Sequence, residues 1–68
     1  MFYFTLHALE KMDGLGLNQR EIETVITQGM KWKEQKTEKW HARMAGVEAV
    51  FIKEENNIMV ITIYHAGD

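Results

Sequence analysis

The chain predicts an α+β domain, with two N-terminal helices packed on one face of an antiparallel sheet of about four strands. Two observations carry this reading. Apolar residues recur at three- and four-residue spacing as far as Gly29, then alternate one by one from Met30 onward. No proline interrupts the chain, and only short polar stretches separate the strand-like segments. Sequential short connections imply an antiparallel meander, which leaves the helices together on one side.

A short apolar "FYF" comes first. Thr5 then caps a helix, because its hydroxyl can accept from an early backbone N–H. That helix runs to about Asp13, where "DGLGL" offers Gly14 or Gly16 as the left-handed residue that ends helices cheaply. The second helix opens at "NQRE", with Asn18 as cap and Glu21 three residues later in a capping-box pair. Ile22, Val25, Ile26 and Gly29 fall on one face, and Gly29 ends the helix. "KWKEQK" and "KWHARMAG" read as two strands with Thr37 and Glu38 near the turn. In the second, Trp40, Ala42 and Met44 alternate with His41, Arg43 and Ala45. "VEAVFIK" and "IMVITIY" are rich in β-branched and aromatic residues. "EENN" joins them as a hairpin loop in which Asn tolerates positive φ. The last strand is apolar on both faces over Ile58 to Ile61 and belongs in the middle of the sheet.

With 68 residues the chain makes one domain, residues 1–68. So small a core usually gains no more than about 3–5 kcal/mol without a metal or a partner subunit, so a homodimer is a natural expectation. There is no cysteine, hence no disulfide and no thiolate metal site, which fits a reducing, cytoplasmic setting. "MFYFTLHALEKM" lacks a basic start and a long apolar run, so neither a signal peptide nor a membrane span is expected. A net charge of −2 argues against a general nucleic-acid binder. The distribution argues the other way: Lys31, Lys33, Lys36, Lys39 and Arg43 outnumber Glu34 and Glu38, making one cationic segment on an acidic chain.

Three places can hold chemistry. On the first helix Leu6, Ala8, Leu9 and Met12 share an apolar arc, while His7 and Lys11 sit together on the other side with Glu10 beside them. This argues against a core histidine. It leaves a solvated face or an imidazole suited to proton transfer. On the last strand Ile58, Val60, Thr62 and Tyr64 share one face, and Met59, Ile61, Ile63 and His65 the other. Thr62 and Tyr64 project from the open face if Ile61 and Ile63 meet the helices; otherwise they are simply good strand formers. In the cationic segment, Trp32 and Trp40 interleave with Lys31, Lys33, Lys39, His41 and Arg43. That mixture suits single-stranded RNA, where indoles stack bases and cations meet phosphates. It equally suits an edge strand blunted by lysine, with both indoles in the core. No metal or other cofactor is expected: His7 and Glu10 supply two ligands, and His41 and His65 would have to converge on them.

"HALEKMDGLGLNQREIETVITQG" resembles the N-terminal signature of the bacterial and archaeal domain-of-unknown-function 4258 family, through His7, Ala8, Glu10, Met12, Gly16 and Gly29. Leu17 and Asn18 stand in for Ile and Ser, and "VITIY", Val60 to Tyr64, resembles the family's closing strand. Lys11 replaces the usual Arg, losing a bidentate fork for phosphate, and Leu15 replaces the Arg before the glycine. That family is similar to the small fold of RelE-type toxins and colicin nuclease domains, in which helices cover one sheet face and RNA lies on the other. The resemblance makes His7 a candidate base, Arg43 a phosphate ligand, and Thr62 and Tyr64 polar groups of the final strand.

Together these features predict a metal-independent, RelE-like endoribonuclease, the toxin of a toxin–antitoxin pair. A ribose 2′-OH would attack the adjacent phosphate. His7 would move the proton, Arg43 with Lys39 or Lys11 would stabilise the phosphorane, and Tyr64 with Thr62 would position the phosphate. Lys11, Lys39, Trp40, His41 and Thr62 are the candidate RNA-binding residues. The rival expectation, from the acidic balance, the two missing arginines and the small core, is a non-enzymatic module that binds a protein partner or dimerises.

Overall fold

The computed structural model describes residues 1–65. Two helices pack against a mixed sheet of five strands. The elements follow in the order β1 (Phe2–Phe4), α1 (Leu6–Leu15), α2 (Gln19–Gln28), β2 (Met30–Lys33), β3 (Lys39–Met44), β4 (Val47–Glu54) and β5 (Asn57–His65). In space the strands run β1-β5-β4-β3-β2. The expected antiparallel meander of about four strands is therefore corrected by one strand and one direction. "FYF" pairs parallel to β5, through Phe2↔Ile58, Tyr3↔Met59 and Phe4↔Val60. Three residues are too few to show alternation, so the segment gave no period to read.

The helices begin as their caps require. Thr5 Oγ1 accepts from the Ala8 N–H (3.0 Å), and Asn18 and Glu21 form a reciprocal capping box (2.8 and 3.0 Å). α1 extends to Leu15, and of the two candidate glycines Gly16 takes the left-handed conformation (φ 72°). In the β4–β5 turn the left-handed residue is Glu55 (φ 55°), not an asparagine.

Both helices share one core with the same sheet face. Ala8 and Met12 of α1, and Ile22, Val25 and Ile26 of α2, meet Ala42, Ala49, Phe51, Val60 and Ile63. Ala42 and Ala49 are directly opposite each other and small, which lets α2 approach β3 and β4 closely. α1 instead packs along β5 and β1.

β5 does not alternate throughout. The β4–β5 register shifts between Val50 and Phe51, with Val50 opposite Thr62 and Phe51 opposite Val60. Ile61 is the extra residue of a β-bulge. The bulge puts both Val60 and Ile63 into the core, and Thr62 and Tyr64 opposite the open-face residues Val50 and Glu48. Thr5 holds the bulge: its N–H donates to Val60 O (3.0 Å) and its hydroxyl to Ile61 O (2.9 Å). No helix among the described residues is long and apolar enough to cross a membrane.

A candidate nucleic-acid interface on the open sheet face

The face without helices is built of cross-strand rows. Pairing places Tyr64, Glu48, Arg43 and Met30 side by side across β5, β4, β3 and β2. The next row is Thr62, Val50, His41 and Trp32. A third holds Tyr3, Met59, Ile52 and Lys39. The charged residues of these rows are Lys39, His41 and Arg43 on β3 and Glu48 on β4, flanked by Met30 and Trp32 on β2.

His41 is the hub of the charged half. Its Nδ1 lies 2.7 Å from Glu48 Oε2 and its Nε2 lies 2.6 Å from Glu34 Oε2. Only 15% of its side chain is exposed, against 13% for Glu48 and 35% for Glu34. Trp32 stacks on the imidazole, with centroids 5.1 Å apart and planes 7° from parallel. Arg43 donates to Glu48 Oε1 (2.9 Å) and lies 5.8 Å from the Trp32 ring centre. Burial opposes a charge on His41, but hydrogen bonds and attraction from Glu34 and Glu48 outweigh it, so its pKa is raised. For Glu48, burial pushes upward, yet Arg43 and His41 together hold the carboxyl below its ordinary range. Glu34 is held down by the hydrogen bonds of His41 and Thr37.

Geometry makes the same point without titration. A neutral imidazole carries one N–H, and here two carboxylates each lie within hydrogen-bond reach of a ring nitrogen. Both contacts are donated only by the imidazolium. The group is a cation clamped by two anions, beside a guanidinium and under an indole. The charges of this set balance, and with both imidazolium N–H groups held by carboxylates, Arg43, half exposed, is the member that can offer N–H donors to a phosphate.

The structure brings Arg43, His41, Lys39, Thr62 and Tyr64 to this one face. Lys11 reaches it from α1, with Nζ 5.8 Å from the Tyr64 ring centre. His7 lies one turn before Lys11, is exposed, and has no hydrogen bond or ion pair among the described residues. Trp40 is set apart. It packs against the core on the helix side, under the Lys53 ammonium at 4.1 Å, so Trp32 is the indole of the open face. Thr62 lies within the row, but its Oγ1 is buried with no partner among the described residues. A separate cavity of about 540 Å³ lies between α2 and the β3–β4 turn, lined by Ile22, Met44 and His65 among others. No group of three or more His, Asp or Glu suited to a metal ion occurs among the described residues.

Sequence reasoning missed Glu34 and Glu48. A signal was present: Glu34, His41 and Glu48 are spaced by seven, and two consecutive hairpins bring them onto one sheet face as diagonal neighbours on adjacent strands. Comparison with protein-family models, curated proteins and solved structures finds no match to this chain. The resemblance to the domain-of-unknown-function 4258 family thus rests on its short motifs alone.

Proposed function

We propose that the chain is a small endoribonuclease of RelE-like type, with its open sheet face as the RNA platform. One observation carries this reading: an imidazolium, a guanidinium and an exposed indole stand adjacent on a helix-free sheet face. A nucleobase stacks on Trp32 and the scissile phosphate lies by Arg43. The motif resemblance gives the 2′-OH proton to His7 of α1. Arg43, with Lys39 and Lys11, stabilises the developing phosphorane, and His41 acts as a positioning residue that holds Trp32 and Glu48 in place. Tyr64 holds the phosphate at the other end of the row. The motif resemblance supports the same reading, including a role as a toxin opposed by an antitoxin.

The test is cleavage of single-stranded RNA in excess EDTA by wild type, His7→Ala and Arg43→Gln. Wild type cleaves, and loss of the base slows the reaction by about 10²–10⁴-fold. Full activity in His7→Ala, or none in wild type, removes the proposal.

A second reading is a non-enzymatic interaction or dimerisation module. It is favoured by exposed Met1, Tyr3, Leu6 and Leu9 around β1 and the start of α1, at the far edge of the sheet from β2. Concentration-dependent sedimentation that Tyr3→Lys abolishes supports that reading.

A further inference from the structure

We propose that β2 is a docking edge for an extended peptide segment of a partner protein, one that alternates acidic and apolar residues. The proposal does not rest on the chemistry suggested for the open face, although Trp32 borders both surfaces.

The edge is free and its polarity can be worked out. β2 ends the sheet, α2 packs over β3 and β4, and all four β2 residues are exposed. Glu34 N–H donates to Lys39 O (3.0 Å), so Glu34 and Lys39 form a hydrogen-bonded pair. Such pairs alternate along an antiparallel ladder, so Trp32 with His41 and Met30 with Arg43 are in the same phase. The main-chain N–H and C=O of Lys31 and Lys33 therefore point away from the sheet, and neither is engaged elsewhere among the described residues. They are the attachment points for an added strand.

The two sides of the edge specify what can bind. Met30 and Trp32 lie on the open face, 72% and 37% exposed. Lys31 and Lys33 lie on the other side, and neither ammonium has a carboxylate within ion-pair distance among the described residues. A lysine on an edge strand ordinarily repels an incoming strand. Here the ammoniums turn back onto the chain's own carbonyls, Lys31 Nζ to Gly29 O (3.0 Å) and Lys33 Nζ to Thr37 O (2.9 Å). They leave the backbone edge clear and place two uncompensated charges alongside it. A sixth strand sets its alternate side chains beside these two rows: acids next to the lysines, apolar groups next to Met30 and Trp32. Free main-chain donors and acceptors favour a peptide over a nucleic acid, which offers no complementary ladder.

The experiment titrates the folded protein with a short end-blocked peptide alternating glutamate and valine, followed by amide chemical shifts and fluorescence anisotropy. Saturable binding is expected, with the largest shifts at the Lys31 and Lys33 amides. Combining Lys31→Glu with Lys33→Glu weakens it by about tenfold or more, a like-charge clash replacing an opposite-charge contact. Peptides N-methylated on alternate amides separate the backbone from the charge: methylation on one edge abolishes binding and on the other leaves it intact. Equal binding of both methylated forms overturns the proposal. So does a response confined to the open face. A dimer in which those amides are already protected from exchange assigns the edge to a second copy and likewise overturns it.

Discussion

At the scale of single residues, the Glu34–His41–Glu48 clamp makes stability depend on pH from both sides. The raised His41 pKa contributes stability that is complete below the ordinary histidine value of 6.5 and is lost as pH rises through the raised value. The lowered carboxyl pKa values of Glu34 and Glu48 contribute stability above the ordinary 4.5 that is lost as pH falls. Urea midpoints against pH therefore show a plateau between the two, and His41→Gln flattens the alkaline limb. When His41 loses its proton, one carboxylate must let go. Glu48 stays with Arg43, so Glu34 is the one released. Thr62 makes an opposite prediction to a binding role: Thr62→Val removes a buried hydroxyl without a partner, and raises stability by about 1 kcal/mol in the same denaturant assay. The roles expected of His7, Arg43 and Tyr64 came from the motif resemblance, whereas the faces of Arg43 and Tyr64 were legible from the period-two pattern. The two glutamates were not, because their role depends on the exact register of two hairpins, which residue type does not encode.

At the scale of elements, the joints are where local chemistry fixes tertiary geometry. Thr5 serves both elements: the α1 terminus through Ala8 and Leu9, and the β5 bulge through Val60 and Ile61. Thr5→Ala loses a cap and a link between elements, and costs about 2 kcal/mol by urea unfolding. Asn18→Ala loses only a cap, and costs about 1 kcal/mol. Gly29 is needed for space: a Cβ there meets Val25 O at 2.5 Å and Arg43 O at 2.7 Å. Gly29→Ala forces α2 away from β3 and destabilises by about 1–3 kcal/mol. Both helices, the caps and the switch to period two at Met30 could be read from the sequence because each has a local signature. The Ile61 bulge could not. "IMVITIY" alternates without a break in sequence, and the shift is imposed by Thr5, more than fifty residues away. β1 escaped for the same reason, since its pairing partner among the described residues is β5.

At the scale of the whole molecule, one small core holds everything. Phe51, Ile22, Ile63 and Val60 are its largest fully buried side chains, drawn from β4, α2 and β5. Phe51→Ala removes about 3–5 kcal/mol. A domain of this size has about that much in total, so the variant is unfolded at room temperature by circular dichroism. The strand order has a further consequence, for synthesis. β5 is the last strand made, yet it lies between β1 and β4. Until residues up to His65 have left the ribosome, β1 has no strand partner, the long apolar β4 has a bare edge, and α1 has only β1 to pack against. The sheet lacks its middle strand until then, so the nascent chain stays open to proteases and chaperones until β5 is inserted.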